Sequence, residues 1–356
     1  MTAFSIILIL WILVAGGFTA VTIVACARLA EHIAARPEPT RLPTLHVLRP
    51  CEGKEAGLRE NLASTLLPYP APCFVTFLVP SEEDPACAVA REVAAGMPGR
   101  ASILVTGVTS TRNRKTAQLA VGLEHALAQW KAAGREPPEA IVQIDSDVRL
   151  RPGTLVALAM ALGPDEKIAA AFAAPIDVET KTAGDLAASG LLSASHQDFF
   201  AVAALAHIGR HTPALAGALA AHRTSHLVET GGFAPLEGLL GEDWEVGRRL
   251  VERGLHVEVS VLPAVCSDEG RDLASVIQRT ARWLMVVRRQ RPWLIASYPI
   301  LFAPTPILLA LSAIACALGA WIPLAVAVAL VGERVMLALV LRQIHGVPVG
   351  LARAFA

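Results

Sequence analysis

Residues 4 to 27, FSIILILWILVAGGFTAVTIVACA, run without a single charged side chain. About 20 apolar residues suffice to cross the hydrocarbon core of a bilayer, so one spanning helix is predicted here. A cleaved signal peptide fits less well, because the run is long and no Lys or Arg precedes it. The whole chain agrees: of 356 residues 54% are hydrophobic and only 17% charged, with a mean hydropathy of +0.50. Soluble domains carry about 25% charged residues.

The first cations follow the run. Arg28, Arg36, Arg41, Arg49 and Lys54 outnumber the nearby acids, which by the positive-inside rule puts everything after residue 28 in the cytoplasm. A second apolar region, Trp293 to Leu341, is introduced by Arg288, Arg289 and Arg291. Pro299, Pro304 and Pro306 break its first third, so that part is expected as an interfacial or re-entrant piece ahead of a helical hairpin, Ile307 to Ala325 and Val326 to Leu341. Glu333 and Arg334 inside it are expected to pair or to face protein, since isolated charges at membrane depth are unfavourable. The domain order read from this is a membrane anchor over 1–28, a cytoplasmic domain over 45–290, and a membrane region over 293–342.

Between these pieces the pattern changes. HVLRP, CFVTFLVP, SILVTG and AIVQID read as short apolar strands, separated by amphipathic helices over Ala56 to Leu67, Asp84 to Ala95 and Arg114 to Ala133. Strands alternating with helices imply an α/β fold with a mostly parallel sheet covered on both faces. The Ala-rich stretch from 168 to 221 does not separate helix from strand. The six cysteines show no metal spacing and are expected to be reduced and mostly buried. The 31 basic and 31 acidic residues balance, and no nucleic-acid partner is indicated.

Three short stretches carry candidate chemistry. The fourth strand ends in Asp145-Ser146-Asp147, where ligands bind in such sheets. Carboxylates two residues apart on an extended chain point the same way and can hold a hard divalent cation whose remaining positions are filled by phosphate oxygens. A D-x-D alone is equally well a turn built on favourable Asp positions. In GLLGEDWEVGRRLVERG, Glu242 and Asp243 open a helix, either as charges favourable to its dipole or with Asp243 as a general base. In RTARW, Arg279 and Arg282 lie three apart on one helix face and suit a diphosphate, with Trp283 stacking beside them; Arg and Trp also anchor helices at membrane surfaces.

Taken together, these stretches resemble the ceramide glucosyltransferases and their bacterial relatives, including the hopanoid-modifying glycosyltransferases, within the large inverting family-two clan. The likeness begins at LRPCEGKEAGLRENLAS and passes through EEDPA, NRKTAQL, Asp145, SASHQ, GED at 241–243 and RTARW. It implies a nucleotide-diphospho-sugar transferase fold of GT-A type. It further implies that Asp84 contacts the uridine and that Asp145 with Asp147 holds Mg2+ or Mn2+ on the diphosphate. Asp243 would deprotonate a lipid hydroxyl. Arg279, Arg282 and Trp283 would hold the leaving diphosphate, Lys115 would add a phosphate contact, Glu242 would belong to the substrate-binding set, and His196 would line the acceptor entrance.

The departures are Pro80-Ser81 in place of the family's Gln-Asp, and Arg114, Ala117 and Gln118 within the NPKxNNL element. The resemblance implies a UDP-sugar donor, a membrane lipid acceptor of ceramide type and a bilayer setting. The alternatives are transfer of N-acetylglucosamine to a hopanoid, a polysaccharide synthase, for which roughly three apolar segments are few, and a non-catalytic nucleotide-sugar binder.

Overall fold

The structure is a computed structural model that describes residues 2–346 apart from 37–39, 178–181, 186, 189–199, 201, 206–214, 240, 267–269, 291, 293 and 303. The chain divides into two compact units. One comprises Met1–Ala34, Val178–Gly209 and Gly270–Ala356; the other comprises Ala35–Asp177 and Arg210–Glu269.

The second unit is the α/β one. Its first half alternates β1 (Leu45–Pro50), α2 (Leu58–Ser64), β2 (Cys73–Val79), α3 (Pro85–Ala95), β3 (Ala101–Val105), α4 (Arg114–Ala132) and β4 (Ala140–Ile144). Each helix carries the chain back across the sheet, so β3, β2, β1 and β4 lie side by side and parallel. Strands β1 and β4 are buried along their whole length, which explains why they read as continuous apolar runs rather than alternating ones. Gly122 of α4 sits over β1 and β2 so closely that a Cβ there would lie 2.7 Å from Leu78. A buried polar chain fixes the same contact: Trp130 Nε1 donates to His46 Nδ1 at 3.0 Å, and His46 Nε2 faces Thr76 Oγ1 at 2.8 Å.

The second half adds β5 (Val148–Arg149), α5 (Thr154–Leu162), β6 (Ile168–Phe172), β7 (Pro175–Asp177), β8 (Leu219–Arg223), α6 (Thr224–Glu229), α7 (Glu242–Glu252), β9 (His256–Val259) and β10 (Ala264–Cys266). Strand β8 runs antiparallel between β4 and β6, and β9 lies parallel to β6, so the seven-stranded sheet is mostly but not wholly parallel. Strands β5, β10 and β7 form a small second sheet. Of the Ala-rich stretch, β6 and β8 are strands whose alanines are buried; in water alone the same residues would favour helix, and burial between neighbouring strands overrides that preference.

The helical unit contains α1 (Ala3–Ala34), α8 (Leu273–Gln290), α9 (Leu294–Ser297), a π-helical turn at Tyr298–Phe302, α10 (Thr305–Ala317) and α11 (Ile322–His345). Helices α1 and α11 are long and apolar enough to cross a membrane; residues 295–301 and α10 form a pair bent by 54° that counts as a third only if it is one broken span. Leu8, Ile12 and Ala15 of α1 pack with Leu308 and Ala315 of α10 and with Ala327 and Leu330 of α11. The break releases backbone carbonyls, and two are satisfied from neighbouring helices. Trp11 Nε1 donates to Ile300 O at 3.1 Å and Arg334 Nη2 to Leu301 O at 2.6 Å. That is the requirement for irregular backbone at membrane depth.

Several expectations change. The first helix extends to Ala34 rather than stopping near Ala27. The turn of the C-terminal hairpin falls at Leu318 to Trp321, earlier than the expected 325/326 junction, because Gly319 takes the left-handed conformation (φ +88) that ends α10. Arg334 faces protein as expected, and Glu333 Oε2 would lie 3.0 Å from a Cβ on Gly16 of α1. Arg49, counted above as a juxtamembrane cation, is instead fully buried on β1. All six cysteines are free thiols, five buried and Cys316 half-buried.

Candidate active site

Strand β4 carries Gln143 and Ile144 to the carboxyl edge of the parallel half-sheet and then turns. The extended D-x-D expected from the sequence is a tight turn, closed by Val148 N–H donating to Asp145 O at 3.1 Å. Asp and Ser suit such turns because their short side chains tolerate them. Asp145 N–H donates to Ala218 O at 2.9 Å, which fixes the turn against the segment leading into antiparallel β8.

Lys115 enters from the first turn of α4. Asn113 is the N-cap of that helix, accepting from Thr116 N–H at 3.2 Å, while its amide donates to Leu239 O at 2.8 Å and to Glu242 Oε2 at 3.0 Å. The cap therefore joins the start of α4 to the start of α7. Lys115 Nζ lies 2.6 Å from Asp145 Oδ1, 3.6 Å from Glu242 Oε1 and 3.2 Å from Gly217 O.

Asp243 stands in the first turn of α7, which begins after Gly241 in the left-handed region (φ +88). Its Oδ2 accepts Gly217 N–H at 3.1 Å and its Oδ1 accepts Trp244 N–H at 2.8 Å. Gly217 is the hub of the site. Its N–H holds Asp243, and its carbonyl accepts both Lys115 and Gln143 Nε2, the latter at 2.9 Å. A Cβ on it would lie 3.1 Å from Gln143 Nε2 and 3.3 Å from both Asp243 Cβ and Lys115 Nζ.

The charges act on one another. Burial pushes the Asp243 carboxyl up to about 6 from 3.8; Glu242 pushes the same way, while Lys115 and the two backbone N–H groups oppose it. Burial also raises Asp145, against the pull of Lys115 and with the push of Asp147. Burial disfavours the Lys115 ammonium, but Asp145 and Glu242 overcome that and hold it protonated above its ordinary value. Asp243 is thus a carboxylate poised near neutral pH beside a permanent cation, the condition that suits a general base.

The other expected residues fall as follows. Asp84 is the N-cap of α3, and its Oδ1 accepts Ala86 N–H at 2.8 Å and Gly53 N–H at 2.9 Å. Asp147 is half-buried in the turn after β4. Arg279, Arg282 and Trp283 lie on α8 in the helical unit, with the Arg279 guanidinium 5.3 Å from the Trp283 ring centroid. His196 lies outside the described residues. Asn113 was expected only as the start of NRKTAQL, and Gln143 and Gly217 were not expected at the site. Gln143 had a visible signal, a polar residue in the buried strand IVQI, whereas Gly217 stands in an alanine-rich run with nothing to mark it.

Among the described residues no group of three or more His, Cys, Asp or Glu side chains could hold a metal ion. Asp145 and Asp147 fit a divalent cation only as two hard oxygen ligands in a shell completed by phosphate oxygens and water, which is how Mg2+ is commonly held at nucleotide sites.

The sequence profile of Glycosyl transferase family 21 matches residues 7–352. The chain belongs to glycosyl transferase family 21. Ceramide glucosyltransferase 1 of Caenorhabditis elegans is 26% identical over 274 residues, 76% of this chain and 55% of that protein. The chain thus spans about half the length of that curated relative. The mannosyltransferase PcManGT of Pyrobaculum calidifontis, solved in complex with GDP-Man and Mn2+, superposes with a TM-score of 0.50 at 18% identity, covering 92% of this chain and 87% of that one. The fold of this family 21 protein is that of GT-A type nucleotide-sugar transferases, as the resemblance implied.

Proposed function

We propose that the protein transfers a sugar from a UDP-sugar to a lipid hydroxyl, with inversion, in a single displacement at the cytoplasmic face of a membrane. The observation that carries this reading is Asp243, held by Gly217 and Trp244 N–H groups within the cluster that contains the Lys115 to Asp145 ion pair. The acceptor hydroxyl gives its proton to Asp243 while its oxygen attacks the anomeric carbon. The bond from that carbon to the diphosphate breaks, and the electron pair leaves with UDP.

Asp145 and Asp147 would hold Mg2+ or Mn2+. A divalent ion there, when bound, neutralises the leaving diphosphate. Lys115 supplies a fixed positive charge at the same place and Glu242 keeps Lys115 and Asn113 in position. Asp84 is assigned the nucleobase, Arg279, Arg282 and Trp283 the leaving diphosphate, and His196 the acceptor entrance, all on the sequence resemblance.

A nucleotide-sugar donor and a metal are supported by the GDP-Man and Mn2+ bound to the mannosyltransferase of like fold. A ceramide-type acceptor is supported by the identity to a ceramide glucosyltransferase. Helices α1 and α11, which are able to cross a bilayer, fit an acceptor that never leaves it. The domain order proposed is an N-terminal anchor over 1–28, the catalytic domain over 45–290 and a C-terminal membrane region over 293–342.

Asp243→Asn is the test. Removing a general base lowers turnover by roughly 10²- to 10⁴-fold. UDP binding measured by calorimetry should stay near the wild-type value. Unchanged turnover in that variant sinks the assignment.

A further inference from the structure

Arg49 is the largest fully buried side chain among the described residues, and it is a cation. It projects from β1, whose six residues are all buried. Among the described residues no carboxylate forms a close ion pair with it, although Asp147, Asp145 and Glu55 act on its charge from further away. A buried cation is strongly unfavourable unless its hydrogen bonds are met. Here Nε has no partner among the described residues, and the two terminal nitrogens are met by four backbone oxygens and one hydroxyl. Nη1 donates to Asn61 O at 2.7 Å and to Thr65 Oγ1, while Nη2 donates to Asp145 O at 3.1 Å, to Ser146 O at 3.2 Å and to Val148 O.

Three of these acceptors belong to the turn that presents Asp145 and Asp147. Helix α2, to which Arg49 is also bonded, holds the same turn. Asn61 Nδ2 donates to Ser146 O at 3.2 Å and its Oδ1 accepts Arg149 Nε at 3.1 Å, while Ser64 Oγ accepts Leu150 N–H at 2.9 Å. None of these bonds uses the carboxylates of Asp145 or Asp147.

We propose that Arg49, with Asn61 as its second support, is a positioning residue that fixes the peptide planes of the Asp145-Ser146-Asp147 turn and so preorganises the two carboxylates for a divalent cation bound with a nucleoside diphosphate. This rests on the metal-diphosphate reading of the turn given above. The side-chain chemistry suits arginine. A planar guanidinium reaches several carbonyls at once in a fixed fork, whereas a lysine ammonium is a single point on a flexible stem. Fixing the peptide planes also fixes the Cα to Cβ directions of Asp145 and Asp147, so the ordering is completed before the cation arrives. Preorganisation of this kind, through groups that do not touch the metal, typically changes metal affinity by about 10- to 100-fold.

The experiment is a Mn2+ titration of the full-length protein in detergent with saturating UDP, followed by loss of the free Mn2+ signal in electron paramagnetic resonance. Wild type, Arg49→Lys and Asn61→Ala are compared, and Asp145→Asn serves as the loss-of-site control. Arg49→Lys keeps the charge and loses the fork. The expected result is Mn2+ binding weaker on the order of tenfold in Arg49→Lys, with UDP affinity in the absence of metal within about twofold of wild type. Equal Mn2+ affinity in folded Arg49→Lys overturns the proposal, and so does a parallel fall in metal-free UDP binding, which marks a general structural role. Should Arg49→Lys fail to fold, Asn61→Ala, which removes one bond to the turn, decides by the same two criteria. If wild type takes up no Mn2+ with UDP while still binding UDP, the metal-diphosphate reading itself fails and the positioning role falls with it.

Discussion

Replacing Glu242 with glutamine should move the acid limb of the activity profile to lower pH. Asp243 titrates near 6 because burial, and after it the charge of Glu242, disfavours its ionised form. Glutamine keeps an oxygen to accept the Asn113 amide and removes only the charge. The two carboxylates are neighbours in the first turn of α7, and at an effective dielectric of about 20 the repulsion of two like charges several ångströms apart is worth about 2 kcal/mol. Both groups are partly exposed, which reduces it to about 1 kcal/mol. At 1.36 kcal/mol per pH unit the half-activity point falls by a little under one unit, from near pH 6 to near pH 5.

The direction follows from the protonation state required. A base must be unprotonated, so activity is lost as pH falls through its pKa, and lowering that pKa extends activity to more acid conditions. The profile of kcat/KM for the UDP-sugar reports the free enzyme. Lys115→Gln supplies the opposite arm, since Lys115 holds the Asp243 pKa down and its loss should carry the limb above 6 while reducing the rate. Acid limbs that coincide in wild type and Glu242→Gln, or that shift the wrong way in either variant, would refute the electrostatic account of Asp243.

Other consequences can be measured with the same preparation. EDTA should abolish transfer and Mn2+ or Mg2+ should restore it, with Asp145→Asn and Asp147→Asn each raising the metal concentration needed for half-activity; full activity without metal would remove the role given to both residues. Gly217→Ala should lower kcat by about tenfold or more, because its Cβ must fit within 3.1 to 3.3 Å of Gln143, Lys115 and Asp243 and a small misplacement of a base is heavily felt. An alanine variant with wild-type kcat would show that this crowding does not matter.

Much of the fold was legible because three of its first four strands, β1, β2 and β4, are buried almost throughout, while β3 at the sheet edge is only half-buried. HVLRP, CFVTFLVP, SILVTG and AIVQID became β1 to β4, and the helices between them formed within a few residues of their expected ends. Burial along a parallel strand leaves a continuous apolar run, and that signal is local. The region from 168 to 221 was not legible, since alanine is at home in a helix and small enough for a crowded strand, and only neighbours distant in sequence decide between them.

The site shows the same division. Asp145, Lys115, Glu242 and Asp243 announce themselves as charged residues at element ends, and the structure brings these four together. Gly217 contributes only backbone atoms, so no side chain could mark it. Arg49 was misread because counting cations after a spanning helix takes no account of which ones the fold buries. The hairpin turn was misplaced because Gly319, one glycine among apolar residues, outweighs the hydropathy pattern around it.

The central claim is that a lipid hydroxyl receives a sugar with Asp243 as the base. The most direct measurement is mass spectrometry of lipids from a host producing this protein beside its Asp243→Asn variant, supplied with ceramide or carrying hopanoids. The account predicts a hexose increment on ceramide that disappears in Asp243→Asn; an N-acetylhexosamine increment on a hopanoid would keep the chemistry and change donor and acceptor. No increment on any lipid, or one that persists in the variant, would contradict it.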